Sequence, residues 1–298
     1  MSELLTPAQA AARIPTGATV GLGGLQGNFP MATIRALARG GVSELTVVGP
    51  PVGMAGELLI AAGAVARLAA PYMGAEGVIP VAPAYRAAVE AGSLALWECD
   101  EAILLQALRA AAQDLPYLPW RGGVDTDLPE LNPDLRSYVD PVSGERLLRV
   151  PAMRLDFALL HALEADERGN VRYHEHSCFA DQALARAARV VIVEVERIVE
   201  HDLVLAQPER TVHHRVDVVV PAPCGTHPFR AAGVLDQDDE WLREWSQGIR
   251  AALSAGQPLA ATEVLARELD CGDHEQYLRL VGAERLAALS LDPAVRSS

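Results

Sequence analysis

Apolar runs rich in β-branched residues alternate along this chain with Ala- and Leu-rich stretches of helical period. That alternation confines it to strands joined by crossover helices in a mostly parallel sheet. The strand-like runs lie at 19–22, 45–48, about 65–69, 94–98, 155–163, 190–196 and 216–220. Thr6-Pro7 reads as an N-cap with proline at the first helical position, leading a short helix to Arg13. A second helix spans about 31–39 and stops at Gly40-Gly41, and a third spans 101–113. The expected fold class is therefore α/β, an open mostly parallel sheet flanked by helices. The stretch 116–151 carries many Pro, Gly and Asp residues and reads as a structured excursion over the domain, because regular elements resume on both sides. Beyond Asp236 come three helical stretches, 240–254, 258–269 and 274–289, with no strand between them. The expected organisation is an α/β domain over 1–236 and a helical C-terminal extension over 237–298 packed on it.

Charge and residue usage remove whole classes of function. The 298 residues hold 39 acidic against 25 basic side chains, a formal charge of −14 that repels phosphate backbones and acidic headgroups, so neither nucleic acid nor membrane is an expected partner. Every basic residue is Arg. Without lysine the chain forms no Schiff base, holds no pyridoxal phosphate covalently and completes no GxxxxGK[ST] loop. Cys99, Cys178, Cys224 and Cys271 are scattered with no CxxC, which reads as small buried hydrophobes rather than a metal or redox site. No basic segment followed by an apolar one opens the sequence, and every apolar run breaks well short of about 20 residues, so the expected location is cytoplasmic.

One turn and several polar clusters remain as candidates for chemistry. Residues 21–30 read GLGGLQGNFP, a glycine-dense turn between a strand and a helix. Such a turn lets backbone approach a ligand closely and offers N–H groups beside a helix N-terminus, which suits a phosphate or an oxyanion. Its spacing does not match the dinucleotide GxGxxG pattern. His174, Glu175 and His176 supply only two imidazoles on one strand face and read as an edge strand rather than a metal site. His213 and His214 are adjacent and on a strand would point to opposite faces, a weaker signal still. Glu194 and Glu196 share a face of the run VVIVEVE, which suggests a buried acidic pair or an interface contact.

Further segments give the glycine turn a context: Pro71-Tyr72-Met73-Gly74 after a strand, Glu98-Cys99-Asp100-Glu101 leading into a helix that ends before LPYLP at 115–119, ADERGNV at 165–171, IVEVERIV at 192–199, and Pro223-Cys224-Gly225-Thr226-His227-Pro228. In this order the set resembles the A (alpha) subunit of class I coenzyme A transferases, glutaconate CoA-transferase branch, over roughly residues 16–229. The resemblance implies an enzyme of two subunits with the active site between an A and a B chain. A glutamate of the B chain would attack an acyl-CoA thioester and pass through an acyl-glutamyl anhydride to a glutamyl-CoA thioester. No bound cofactor is implied; the CoA thioester is the substrate and a small carboxylic acid the acceptor. Oxyanion or substrate-binding candidates are Gly23, Gly24, Gln26, Gly27 and Gly74, since fixed N–H groups aimed at a developing oxyanion are worth several kcal/mol. Glu101 is the catalytic candidate, at a strand-to-helix junction of the kind where open α/β sheets bind ligands. Some relatives hold an amide there. An ionised carboxylate cannot donate a proton, so a glutamate either stays protonated or acts as a base. That departure opens two alternatives on the same fold, a ring-opening acyl-CoA hydrolase of the steroid-catabolism type and an acyl-CoA decarboxylase. Arg121 is a candidate for a substrate carboxylate or CoA phosphate, or else a solvent-exposed arginine. His227 reads as a turn-stabilising residue. A non-catalytic ligand-binding or scaffold subunit is the alternative from another class.

Overall fold

The computed structural model describes residues 2–25, 27–50, 52–174, 179–211 and 215–292. The strands are β1 (Glu3–Leu4), β2 (Thr19–Leu22), β3 (Leu45–Val48), β4 (Val65–Ala69), β5 (Ala95–Leu96), β6 (Tyr117–Trp120), β7 (Arg136–Val139), β8 (Arg146–Pro151), β9 (Leu155–Ala165), β10 (Val171–Arg172), β11 (Ala188–Ile198) and β12 (Val218–Pro221). The helices are α1 (Pro7–Ala11), α2 (Met31–Arg39), α3 (Gly53–Ala61), α4 (Pro83–Glu90), α5 (Glu101–Ala112), α6 (Leu128–Leu131), α7 (Asp181–Ala187), α8 (His201–Leu205), α9 (Asp239–Ser254), α10 (Glu263–Leu269), α11 (His274–Val281) and α12 (Ala283–Leu289).

The main sheet runs in the order β1-β12-β11-β9-β2-β3-β4-β5, every neighbouring pair parallel, with β10 added antiparallel on β9. The chain winds outward from β2 to β5 and then returns to lay β9 against β2. This reversal puts a topological switch point between β2 and β9, and the crevice at the carboxyl ends of such strands is where open α/β sheets take ligands. The expected open parallel sheet is thus present.

Two apolar layers cover the sheet. On one face Val20, Leu22, Leu45 and Val47 pack with residues of α2 and α3. On the other, Ala158, Leu160, Val191 and Val193 pack with Ile103, Leu104 and Leu108 of α5 and Leu184 of α7. Gly21 is glycine because this second layer comes so close: a Cβ there would lie 2.6 Å from Leu155 Cδ1. The excursion at 116–151 folds as a three-stranded antiparallel sheet, β6-β8-β7, whose Leu148 and Val150 join the α5 side of the core.

The C-terminal helices share the first layer, through Leu242, Trp245, Ile249 and Leu265. They are also tied to α2 by polar bonds inside the protein. Arg35, 1 % exposed, donates from Nε to Glu268 Oε2 at 2.7 Å, bonds the His227 carbonyl, and stacks 3.5 Å over the Tyr277 ring. Among the described residues no helix is long and apolar enough to cross a membrane.

Candidate active site

The glycine turn leaves β2 at the switch point. Gly23 N–H donates to the Leu159 carbonyl at 2.8 Å, continuing the β2–β9 ladder, and Gly24 N–H donates to Asp181 Oδ1 at 3.0 Å. Both amides are thereby spent inside the protein, so in this conformation neither is offered to a ligand. A Cβ on Gly23 would stand 2.5 Å from the same Asp181 oxygen, and Gly24 sits at φ +100°, where only glycine is unstrained. Asn28, at φ 52°, turns the chain back: its N–H donates to the Arg230 carbonyl at 2.8 Å and its Oδ1 accepts the Ala232 N–H at 3.0 Å. Phe29 then packs edge-on against Phe229, ring centres 4.8 Å apart. Gln26 lies outside the described residues.

Asp181 is the residue this turn depends on. It is buried at the start of α7 and its second oxygen accepts the Tyr173 hydroxyl at 2.9 Å. Burial pushes its carboxyl up to about 7, against the pull of the Gly24 N–H, the Tyr173 hydroxyl and the charge of His161. Sequence reading missed it, since a single acid opening an Ala-rich helix carries no local signal.

At the carboxyl ends of β3 and β4, the turns that follow enclose a cleft of about 330 Å³ with the Phe29–Phe229 pair and the segment around Arg230. That volume is at the small end for a ligand site. Gly53, which opens α3, and Gly74 bring backbone to its wall. A Cβ on Gly74 would lie 2.5 Å from the Tyr72 hydroxyl, and the Gly74 N–H makes no hydrogen bond among the described residues. Gly74 sits beside the first turn of α3, its carbonyl 3.0 Å from where a Cβ on Gly53 would stand. Gly27 borders the same region, with Arg230 lying across it. The structure thus places Gly74 in the wall of the cleft, whereas Gly27 meets it only through Arg230.

Glu101 and Arg121 stand apart from that cleft. Glu101 is exposed as the first residue of α5, which follows β5, the neighbour of β4, and it is not among the residues that line the cleft. The capping of α5 is done by its neighbour, for Asp100 Oδ1 accepts the Ile103 N–H at 2.6 Å. Arg121 lies at the end of β6 with its side chain 77 % exposed, paired at 2.6 Å with Glu145 on the small sheet.

Glu194 and Glu196 form a buried acidic pair under the α2 terminus. Glu194 Oε2 accepts the Thr33 N–H at 2.8 Å and its hydroxyl at 2.7 Å, so a strand carboxylate caps α2 from below. Burial raises the Glu194 carboxyl above its ordinary range. Glu196 bonds His161 Nε2 at 3.0 Å and accepts the Cys224 N–H at 2.6 Å. His227 is the turn-stabilising residue expected: fully buried, it bonds the Tyr277 hydroxyl at 2.7 Å and Asp238 at 3.0 Å. Its imidazole is held below the ordinary histidine range by burial. Glu175, His176, Cys178, His213 and His214 lie outside the described residues.

Comparison with known proteins gives this geometry its relatives. The family described as Coenzyme A transferase matches residues 4–222. The chain is 34% identical over 275 residues to the cholesterol ring-cleaving hydrolase IpdA subunit of Rhodococcus jostii, covering 88% of this chain and 91% of that protein. It is 28% identical to the A subunit of glutaconate CoA-transferase of Acidaminococcus fermentans, covering 99% and 97% of the two chains. The crystal structure of glutaconate coenzyme A-transferase from that organism superposes with a TM-score of 0.87 at 27% identity, covering 98% of this chain and 97% of that one. A variant of the decarboxylase AibA/AibB superposes with a TM-score of 0.76 at 32% identity, covering 86% of this chain and 96% of that one.

Proposed function

The chain belongs to the coenzyme A transferase family, and from that premise we propose that it is the A subunit of a two-component cytoplasmic enzyme moving CoA between an acyl-CoA and a small carboxylic acid. The observation that carries the reading is the likeness to glutaconate coenzyme A-transferase over nearly the whole of both chains. A B subunit completes the site and brings the attacking glutamate. The glutamate oxygen bonds to the thioester carbon, the C–S bond breaks and CoA leaves as thiolate. The thiolate then attacks the glutamyl carbonyl of the anhydride, releasing the acyl group as its carboxylate. Each attack places negative charge on a carbonyl oxygen. This chain meets that charge with the Gly74 N–H and the α3 N-terminus, while Gly23, Gly24 and Gly27 keep side chains out of the way. Gln26 is placed with them by sequence, and Arg121 stands as a surface arginine with its own partner.

Glu101 favours a second reading, hydrolytic opening of a carbon–carbon bond in an acyl-CoA, and the chain's 34% identity to part of a ring-cleaving hydrolase supports it too. An exposed carboxylate at the ligand edge of the sheet is suited to take a proton from water. A decarboxylase on the same fold would need neither acceptor acid nor water. The complex with its B partner, given an acyl-CoA and isotopically labelled acetate, separates these outcomes. Labelled acetyl-CoA together with a CoA adduct on the B-chain glutamate supports transfer. Release of CoA or ring-opened product without acetate supports hydrolysis, carbon dioxide supports decarboxylation, and failure to bind any CoA thioester supports a scaffold role. Full activity of this chain alone would overturn the two-component reading.

A further inference from the structure

We propose that the free edge of β7 pairs with the same edge of a second copy of this chain, joining the two small sheets into one continuous sheet across a two-fold axis. The inference concerns assembly and does not depend on which reaction the site performs.

β7 is an outer strand of the small sheet, whose order is β6-β8-β7. An open strand edge is a template for another chain, and proteins blunt it by keeping it short or by setting proline in it. The other edges of this protein follow that rule among the described residues. β1, β5 and β10 are two residues long, and β6 carries Pro119. β7 has four residues, none of them proline, and Val139 on it is 62 % exposed. Asp140 N–H donates to the Glu145 carbonyl at 2.8 Å, so by alternation Tyr138 and Arg136 also bond β8. Ser137 and Val139 therefore turn their N–H and C=O groups away from β8, and both residues are exposed.

The occupant is read from the pattern of the edge itself. When Ser137 of one copy faces Val139 of the other, every outward N–H of these residues meets a carbonyl, and the two-fold axis makes the contact self-complementary. That register sets Tyr138 opposite Tyr138 at its centre and Arg136 opposite Asp140 on either side. Arg136 lacks such a partner in its own chain. It forms no ion pair among the described residues and stands directly opposite Arg149, a like-charge pair that costs free energy in an isolated sheet. Tyr138 shares the face of these arginines, its ring centre 5.7 Å from the Arg149 guanidinium. Asp140 is already oriented, its Oδ2 accepting the Ser143 N–H and hydroxyl at 2.7 Å each. A slip of the register leaves part of the edge unpaired and takes Arg136 off Asp140.

Sedimentation velocity of the full chain over a concentration series, alone and in complex with its B partner, tests this; a reversible contact between copies of this chain is expected. Val139→Pro removes an outward N–H without touching the bonds to β8. Arg136→Glu sets a carboxylate against Asp140 of the other copy while pairing it with Arg149 in its own sheet. Each is expected to raise the dissociation constant about tenfold or more, with the fold, read by circular dichroism, unchanged. Tyr138→Cys reads the register, because non-hydrogen-bonded partners stand about 4.5 Å apart at Cα, within disulfide reach. Mild oxidation is expected to link two copies of that variant, and to link Arg136→Cys no more than the parent. A chain that stays monomeric at every concentration, with a single copy in the complex, overturns the proposal. So does self-association that neither Val139→Pro nor Arg136→Glu weakens, which would place the contact on another face. Loss of B binding in Val139→Pro, with self-association intact, overturns it by giving the edge to the B subunit.

Discussion

Asp181 accepts the backbone N–H of Gly24, 157 positions earlier in the chain, at 3.0 Å. This one bond joins the helix after β10 to the turn after β2, the two sides of the switch point, and fixes the direction of a segment that has few side chains to hold it. The Tyr173 hydroxyl on the other carboxylate oxygen prevents that side chain from turning away.

Replacement of Asp181 by alanine takes away the carboxylate that accepts from the Gly24 N–H and from the Tyr173 hydroxyl. Each such loss costs about 1–3 kcal/mol, so Asp181→Ala is expected to lose on the order of 3 kcal/mol in urea unfolding and to lower kcat/KM of the complex at least about tenfold. Asp181→Asn is expected to keep most of both, since its oxygen still accepts from Gly24 and its NH2 can donate to Tyr173. An alanine variant as stable as the parent would show that the bond holds nothing.

The same carboxyl makes stability depend on pH in a direction opposite to that of a salt-bridged acid. Folded, Asp181 keeps its proton up to about 7; unfolded, it loses it near the ordinary aspartate value of about 3.9. Between those values the native state binds more protons than the unfolded state, so this group's contribution falls as pH rises, by on the order of 1 kcal/mol per unit. Asp181→Asn abolishes the term. Unfolding free energies compared between pH 5 and pH 8 are expected to drop less for the variant than for the parent; parallel curves would contradict this assignment.

Glu101 is exposed and its helix is capped by Asp100, so its removal has little folding cost to confuse the kinetics. Glu101→Gln is expected to change stability by no more than about 0.5 kcal/mol. If Glu101 is a base, turnover falls by about 10²-fold or more, with a smaller change in KM. Steady-state kinetics of the complex decide it, and turnover within about twofold of the parent would confine Glu101 to the helix terminus.

The sheet was legible because burial writes itself into a strand that is covered on both faces. VVIVEVE at 190–196 lies within β11, and LTVV is β3 residue for residue. Where one face is wet or the element is short, the signal fades. β6 carries Pro119 and β7 is mostly exposed, so the small sheet showed only as an aperiodic excursion. α3 failed to register for the opposite reason, being buried all round and without a polar face to set a period. The stretch 274–289 read as one helix but breaks at Gly282, whose φ of +91° no helix continues through. Of the site, the glycine turn and Gly74 could be read locally. Asp181 could not, because what ties it to the turn is contact with a residue 157 positions away.

The last expectation concerns the boundary drawn near residue 236. Glu268, in α10, uses both carboxylate oxygens inside the protein, Oε2 on Arg35 Nε at 2.7 Å and Oε1 on Trp241 Nε1 at 2.6 Å. Arg35 belongs to α2, so the extension neutralises a charge buried in the α/β layer. Glu268→Ala strands that guanidinium and is expected to cost about 3–5 kcal/mol, whereas the paired change Arg35→Met with Glu268→Met removes both charges and is expected to cost less than Glu268→Met alone. Thermal unfolding also reports on the boundary. A single transition displaced downward in Glu268→Ala means that the helices after 237 and the sheet unfold as one cooperative unit. Two transitions, with the upper one unmoved, would mean that the extension is a separate unit docked on a sheet that stands without it.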